Sequence, residues 1–181
     1  MKPVKVQVPP WAHKTSKSKT HKKKLPVTPA IKWIKEQQKK YKHPILYHKN
    51  GHEPYVQLPS GKKYWVDGLI LEDKIVFEFQ GCYWHGCPKC FKGSRTRPER
   101  IKMENGKEYI GKISFKALRD RVKRKNDLLR RAGYKVVQIW ECDWYKDHPE
   151  DNKKADAFCE KYKQKKNRKR KRARIILILS R

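Results

Sequence analysis

The chain has 181 residues, of which 48 are Lys or Arg and 18 are Asp or Glu, so its formal net charge at pH 7 is +30. Such an excess of positive charge repels itself in a compact state unless a polyanion shares the field, and it predicts nucleic acid as the partner. The uninterrupted apolar run "IILIL" at 175–179 is far shorter than the roughly 20 residues of a membrane-spanning helix. The N-terminus also lacks the apolar segment of a secretory signal. We therefore expect no membrane partner and a reducing compartment, in which the five Cys serve as metal ligands or free thiols.

Charge and proline divide the chain into three parts. Residues 1–29 contain eight Lys and no acidic residue, a composition that buries too little apolar surface to fold, and they are predicted to be a flexible basic arm. Residues 30–160 are the predicted folded domain. Residues 161–181 are a basic tail, in which "KYKQKKNRKRKRAR" predicts a nuclear localisation signal or a phosphate-binding segment. A solvated tail with no receptor is the alternative.

The predicted domain begins with a helix in "TPAIKWIKEQQKKYK", since Thr28 followed by Pro suits a helix start. The segments "PYVQL", "KYWVDGLI" and "KIVFEFQ" are rich in β-branched and aromatic residues and are predicted to be neighbouring strands. The segment "SFKALRDRVKRKNDLLRRAGY" has the apolar spacing of a long helix, with Ser114 to cap its start and Gly133 its end. A strand in "YKVVQIWEC" and a helix in "ADAFCEKYKQ" complete the order. This order predicts an α/β domain with a small sheet covered by helices.

Two carboxylates are expected to meet across the second and third strands. If these strands form a hairpin about the turn "LED", Asp67 lies opposite Glu78. Opposed like charges destabilise a sheet unless a cation neutralises them, and Mg²⁺ prefers such oxygen ligands. Because side chains alternate along a strand, Gln80 shares the face of Glu78, whereas Phe77 and Phe79 point into the core. The alternative is an ordinary strand pair whose polar face is wet.

The spacing of the cysteines predicts a structural metal site. Three follow a C-x4-C-x2-C pattern, and a fourth lies far downstream at the end of the last strand: Cys82, Cys87, Cys90 and Cys142. Four thiolates suit a closed tetrahedral Zn²⁺ site. His85 could replace one of them as a ligand, or its imidazole is left available for proton transfer beside Glu78, or it is simply a packed or surface histidine. Cys159 is surplus and is predicted to be an ordinary helix thiol.

Two runs, "IVFEFQGCYWHGCPKC" and "RDRVKRKNDLLRRAGYKVVQIWEC", resemble the very-short-patch-repair type of endonuclease. They resemble still more closely the nuclease modules carried with polymerases of Maverick-type mobile elements. Both groups belong to the PD-(D/E)XK nuclease superfamily, and the resemblance covers residues 31–145. It implies a restriction-endonuclease-like mixed sheet flanked by helices, and a Mg²⁺-dependent DNA endonuclease with a structural zinc.

The resemblance also implies roles for particular residues. Asp67 would bind the catalytic Mg²⁺ with help from the backbone carbonyl of Phe79, and His85 would match the histidine of the active site. The zinc would be bound by the four cysteines of the spacing pattern, Cys82, Cys87, Cys90 and Cys142.

The chain departs from the repair enzymes at two positions of the site. Gln80 stands where those enzymes have a second His, and Glu78 is an acid where they have none. The order of Asp67 and then "EFQ" matches the general superfamily pattern, with Gln in place of the Lys that orients or deprotonates water. Either His85 takes over proton transfer or the site is impaired.

A further acidic residue is expected near the metal. The segment "HKNGHEPYVQL" resembles the mobile-element modules and makes Glu53 one candidate. Glu36 of the first helix is the competing candidate.

These inferences predict hydrolysis of phosphodiester bonds by in-line attack of water. Asp67 and Glu78 would hold Mg²⁺, Gln80 would orient the water, and His85 would act as general acid or base. Basic residues of the long helix and of both arms are expected to contact DNA phosphates. Three aromatic residues would stack on bases or wedge between them: Trp65, Tyr83 and Trp84. Core packing is the alternative, and it is favoured for Trp65.

The expected setting is repair, recombination or the processing of mobile-element or viral DNA, in the nucleus or elsewhere in the cell with access to DNA. A polymerase or another element-encoded protein is a candidate partner. One alternative is a catalytically inactive, zinc-stabilised DNA-binding module. The other is a structural polyanion-binding protein, which accounts for the charge of the chain and leaves its opposed carboxylates unexplained.

Overall fold

The structure is a computed structural model, and it describes residues 27–48, 54–92, 95–103 and 105–153. The described part contains four helices and eight strands whose bounds are complete, and a further helical segment begins at 149. The helices are α1 (Pro29–Gln38), α2 (Cys82–His85), α3 (Phe115–Arg131) and α4 (Glu141–Asp147). The strands are β1 (Leu46–Tyr47), β2 (Tyr55–Gln57), β3 (Lys63–Trp65), β4 (Gly68–Ile70), β5 (Ile75–Gln80), β6 (Thr96–Lys102), β7 (Glu108–Ser114) and β8 (Lys135–Trp140).

Four of the strands form a mixed sheet in the order β1-β4-β5-β8. Strand β4 is antiparallel to both β1 and β5, whereas β8 runs parallel to β5. Parallel neighbours require a long crossover, and the chain between them supplies it with α2, the β6–β7 pair and α3. The remaining pairs, β2 with β3 and β6 with β7, are two separate antiparallel ribbons. The predicted α/β class with a mixed sheet and helices is confirmed.

The β4–β5 hairpin has the predicted register. Gly68 pairs with Phe77 and Ile70 with Ile75, as the predicted register requires, and the ladder ends before Asp67. The predicted strand "KYWVDGLI" is nevertheless divided, since its first half is β3, which pairs with β2. The division falls at Asp67, whose Oδ2 accepts a hydrogen bond from the Phe79 N–H at 2.6 Å. This side-chain bond satisfies a backbone donor that a continuing strand would otherwise have to pair.

Helix α1 covers one face of the sheet. It begins where predicted, because the Thr28 hydroxyl accepts a hydrogen bond from the Ile31 N–H at 3.3 Å and caps the first turn. The Trp33 ring contacts the rings of Phe77 and Phe79, with centroids 6.0 and 6.2 Å away. The alternation predicted for β5 is therefore correct on its apolar face.

Helix α3 lies against the other face. The Ser114 hydroxyl accepts a backbone hydrogen bond at 3.1 Å and caps its start, and Gly133, with φ of 86°, follows its end. Leu129 is fully buried and belongs to the same apolar core as Val76 of β5, and burying one such side chain contributes roughly 1.5–3 kcal/mol. Since side chains two apart share a face, Glu78 points to the side of the sheet that α3 covers.

The β6–β7 ribbon was not predicted from the sequence. Its strands pair from Thr96 opposite Ser114 to Lys102 opposite Glu108. The turn contains Asn105 and Gly106, the latter with φ of 80°. Asn-Gly between two extended segments is a strong hairpin signal, but the many charged residues along both strands obscure the alternation that would have accompanied it.

The other differences concern short elements and the ends of the chain. Strand β1 and helices α2 and α4 are additional to the prediction. The helix predicted in "ADAFCEKYKQ", most of the arm at 1–29 and the tail at 161–181 lie outside the described residues. The chain divides into two units, 1–142 and 143–181. In the second unit, Trp144 is buried, stacks on His148 and donates from its indole nitrogen to Asp151 Oδ2 at 3.4 Å.

The described residues include no helix whose length and apolar character would allow it to cross a membrane.

Candidate active site and metal centre

Four cysteines lie together at the carboxyl ends of two strands of the mixed sheet. β5 and β8 are parallel neighbours, so their carboxyl ends lie together. Cys82 follows the first strand at the start of α2, and Cys142 follows the second in the first turn of α4. The chain after α2 adds the other two ligands, and the four sulfur atoms, those of Cys82, Cys87, Cys90 and Cys142, all lie within 4.8 Å of one another. Among the residues that the structure describes, this is the one cluster of three or more Cys, His, Asp or Glu with metal-ligand spacing.

The geometry of the cluster fits a tetrahedral metal site. Zinc–thiolate bonds of about 2.3 Å place the sulfurs of a tetrahedron about 3.8 Å apart. The Sγ atoms of Cys87 and Cys142 are 3.6 Å apart, and the four cysteines form no disulfides. The predicted four-cysteine set is therefore brought together and could hold a metal such as Zn²⁺. Cys142 was predicted at the end of the last strand, but it lies in α4, which follows that strand.

The thiols differ in how readily they ionise. Burial raises the pKa of Cys87. Hydrogen bonds from the backbone N–H groups of Cys90 and Lys89 and from the neighbouring thiols together lower this pKa by more, so the net shift is downward. Burial raises the pKa of Cys82, and it raises that of Cys90 to about 11. A divalent cation reverses such upward shifts, because a coordinating thiol is deprotonated outright.

The loop that carries three of the cysteines is held in place by α3. Arg119 Nη1 donates hydrogen bonds to the carbonyl oxygens of Gly86 and Phe91, both at 3.0 Å. Gly86 has φ of 71° and lies so close to the Phe115 carbonyl that a Cβ there would collide with it. The loop is therefore fixed by contacts that do not require the metal.

Glu78 is buried and has a cationic neighbour that sequence reasoning missed. Only 5% of the residue is exposed, and Lys125 Nζ of α3 lies 2.6 Å from its Oε1. The same ammonium donates a hydrogen bond to the Trp65 carbonyl at 2.6 Å. The ordinary wet strand pair that was the alternative for this hairpin is therefore wrong, because the polar face is covered by α3.

A cavity of about 310 Å³ opens beside Glu78. Gln80, 1% exposed, and His85 of α2 also line it. Helix α3 contributes four side chains at positions i, i+3, i+4 and i+7, which share one helical face: Leu118, Arg121, Val122 and Lys125. The β6 strand contributes Arg97 and Glu99 from the ribbon that the sequence did not predict. Three of the predicted site residues, Glu78, Gln80 and His85, are thus brought together.

The His85 imidazole belongs to α2 rather than to a loop. Burial lowers its pKa below the ordinary value for histidine, and the positive charges of Lys125 and Arg97 lower it further. The imidazole is therefore neutral at neutral pH and able to accept a proton.

None of the other acidic candidates that the structure describes lines the cavity. Asp67 directly precedes β4, and its carboxylate accepts a hydrogen bond from the Phe79 N–H and does not line the cavity. Glu36 lies in α1 and does not line the cavity either. Glu53 lies outside the described residues.

The three aromatic candidates are exposed. Trp65 is 52% exposed, so the predicted preference for core packing is wrong, and its ring contacts Tyr55 edge-on at 5.1 Å. Trp84 is 62% exposed at the wall of the cavity, and Tyr83 beside it is 41% exposed. Their exposure leaves all three able to contact a ligand.

Replacing Lys125 with Met should destabilise the fold by removing the cation nearest to a buried carboxylate. We expect a loss of about 1–3 kcal/mol in the free energy of unfolding, partly recovered by millimolar Mg²⁺ if a metal can neutralise Glu78 instead. Thermal unfolding with and without Mg²⁺ measures both effects. Lys123→Met is the matched control, because Lys123 lies on the same helix with 79% of its side chain exposed. Equal unfolding temperatures for the two variants would contradict the assignment.

Comparisons with protein-family models, with curated proteins and with solved structures found no match. The resemblance to very-short-patch-repair endonucleases therefore rests on the quoted motifs and stays a prediction.

Proposed function

We propose that this chain is a Mg²⁺-dependent DNA endonuclease with a restriction-endonuclease-like fold and a structural zinc. The observation that carries the proposal is a buried carboxylate, Glu78, in a cavity otherwise rich in cations. The charged side chains of the lining are two carboxylates and three cations: Glu78, Glu99, Arg97, Arg121 and Lys125. An acid that is buried beside a specific charge partner in a cleft is a candidate for a functional site.

Two carboxylates adjoin the end of the β4–β5 ladder, whose last pair is Gly68 with Phe77: Asp67 precedes the first of these residues and Glu78 follows the second. Carboxylate oxygens are the ligands that the hard cation Mg²⁺ prefers. We assign it to these two residues together with the Phe79 carbonyl. Bound there, Mg²⁺ would polarise the phosphate and lower the pKa of a water molecule.

Three other side chains have proposed roles in the hydrolysis. Gln80 orients the attacking water through its amide, and neutral His85 accepts the proton that this water loses. As the new P–O bond forms, the opposite P–O bond breaks, and the leaving oxygen takes up a proton from solvent water. Lys125 supplies the positive charge that the superfamily pattern has at the position of Gln80, because its ammonium reaches the same cavity from α3.

We assign the four-cysteine cluster to a structural Zn²⁺. Four thiolates saturate a tetrahedral ion and leave no position for a substrate. The cluster also links the carboxyl ends of β5 and β8. A metal bound there would hold these two strand ends together next to His85. His85 then remains available for proton transfer.

A catalytically inactive, zinc-stabilised DNA-binding module is the second candidate. The observation that favours it is the ion pair at 2.6 Å between Lys125 Nζ and Glu78 Oε1, because this pair already neutralises the carboxylate. Such a module would use the same basic residues and the same cysteines, and would bind DNA without cutting it.

Cleavage of a panel of DNAs tests the proposal. The panel contains duplex, single-stranded, mismatched and branched molecules, each incubated with Mg²⁺ or with a chelator that spares zinc, and Asp67→Ala is run in parallel. We expect Mg²⁺-dependent cleavage of at least one DNA by the wild type and none by the variant. Binding of every DNA without cleavage of any would contradict the proposal and favour the inactive module.

A further inference from the structure

One arginine in the cavity is buried without full hydrogen bonding. The side chain of Arg97 is 10% exposed, yet its Nε finds no hydrogen-bond partner among the residues that the structure describes. Burying a guanidinium N–H without an acceptor is costly, and native proteins seldom leave such a group unsatisfied unless a ligand, ion or water completes it. Because Arg97 lines the cavity, its unsatisfied Nε favours a bound group with acceptor atoms there.

The groups around Arg97 hold its guanidinium in one place. Its Nη1 donates to the Pro98 carbonyl at 3.1 Å, and its Nη2 to the Trp84 carbonyl at 3.5 Å. The guanidinium carbon also lies 5.2 Å from the centroid of the Trp84 ring, a cation–π distance. The orientation of the fork is thus set by the protein before any ligand binds.

The Glu99 carboxylate lies near two arginines, Arg97 and Arg121. Glu99 Oε1 is 2.7 Å from Arg121 Nη1 but 3.8 Å from Arg97 Nη2. Arg121 therefore has the close ion pair, and Arg97 has only a long one. One negative charge between two guanidiniums leaves a net positive charge on this wall of the cavity, next to the pair formed by Lys125 and Glu78.

We propose that Arg97 and Arg121 form a phosphate subsite, which holds a phosphodiester group of the bound nucleic-acid strand beside the group that is hydrolysed. The inference deepens the proposed function and rests on it for the identity of the strand. Guanidinium forks match phosphate oxygens with paired hydrogen bonds, which a lysine cannot reproduce. A cavity of about 310 Å³ is at the small end of ligand sites and suits a phosphate group better than a base pair.

Binding measured without Mg²⁺ tests the subsite independently of cleavage. The probe is a short fluorescein-labelled DNA duplex, titrated in chelator at several salt concentrations against the wild type, Arg97→Gln and Arg121→Gln. We expect each variant to bind about tenfold more weakly and to lower the salt slope by roughly 0.9. Arg100→Gln is the matched control, because Arg100 is on the same strand with 73% of its side chain exposed, and it should lose less than about threefold in affinity.

Neutral linkages locate the phosphate. Duplexes that carry one methylphosphonate at successive positions should include a position at which the wild type loses about tenfold in affinity and Arg97→Gln loses almost nothing. Equal losses in both proteins at every position would overturn the subsite. Arg121→Gln keeps the test decisive if Arg97→Gln fails to fold, because 55% of the Arg121 side chain is exposed.

A free phosphate ion shares this chemistry and is tested with inorganic phosphate alone. Phosphate binding that disappears in Arg97→Gln, with duplex affinity unchanged, would overturn the assignment to nucleic acid. If the wild type cuts no DNA while the linkage test succeeds, the proposed nuclease fails and the subsite stands. If the wild type cuts DNA but Arg97→Gln binds like Arg100→Gln, the subsite fails and the nuclease stands.

Discussion

Cys142→Ser should lose its zinc and, with it, much of its stability. The four sulfur atoms lie within 4.8 Å of one another, so removing one opens a closed site. Metal binding of this kind is coupled to folding, and its loss should lower the unfolding temperature by more than about 10 °C. Metal content by mass spectrometry and thermal unfolding measure the two effects. The wild type should contain about one Zn²⁺ per chain.

Cys159→Ser is the control for that experiment, because Cys159 is predicted to be an ordinary thiol outside the metal site. It should keep both the metal and the unfolding temperature. Full zinc occupancy in Cys142→Ser would contradict the four-thiolate assignment. In that case His85 would become the candidate for the fourth ligand, and it could no longer serve in proton transfer.

Asp67→Asn and Glu78→Gln should each reduce DNA cleavage by more than about a hundredfold. Both replacements remove a negative charge at nearly constant shape, so the zinc content should be unchanged. An Asn at position 67 keeps an oxygen to accept the Phe79 N–H, which is now bound at 2.6 Å. Single-turnover rates on a duplex at saturating Mg²⁺ measure the loss, and calorimetric titration with Mg²⁺ should show weaker binding.

The same two variants should keep their affinity for DNA or bind it more tightly in the absence of Mg²⁺. Each removes a negative charge close to the bound phosphate, and repulsion in a partly dehydrated site falls with it. Weaker DNA binding together with unfolding would show that the carboxylates are structural. Wild-type rates in both variants would contradict the active-site assignment.

Local signals in the sequence were sufficient to predict the β4–β5 hairpin and the helices α1 and α3. The turn "LED" and the alternation of Phe77 and Phe79 with Glu78 determine the register of β4 and β5, which the structure confirms. Thr28 and Ser114 cap α1 and α3 as predicted. These features depend on neighbours that are close in the sequence, so short-range patterns are enough to predict them.

Features set by distant contacts were missed. The division of "KYWVDGLI" depends on the hydrogen bond between the Asp67 carboxylate and the Phe79 N–H, which forms only when the hairpin is folded. The ion pair between Lys125 and Glu78 joins α3 to β5, and Lys is too common in this chain for one to be singled out. Its position three residues after Val122, on the helical face that lines the cavity, is the signal that could have indicated it.

The cysteine site lies between these two cases. The spacing of Cys82, Cys87 and Cys90 predicted a shared metal site, and adding Cys142 required only that the carboxyl ends of two strands lie together. The parallel pairing of β5 and β8 provides that arrangement. The prediction could not give the α4 helix that carries Cys142, because its short length and lack of apolar periodicity leave little trace in the sequence.

Nicking of supercoiled plasmid DNA tests whether Glu78 is needed for Mg²⁺-dependent cleavage. Wild type and Glu78→Gln, matched for zinc content and for DNA binding, are compared with Mg²⁺ and with chelator. We expect that only the wild type with Mg²⁺ converts the plasmid to nicked or linear forms. Equal conversion by Glu78→Gln with Mg²⁺, or no conversion by either protein while both still bind the plasmid, would contradict it.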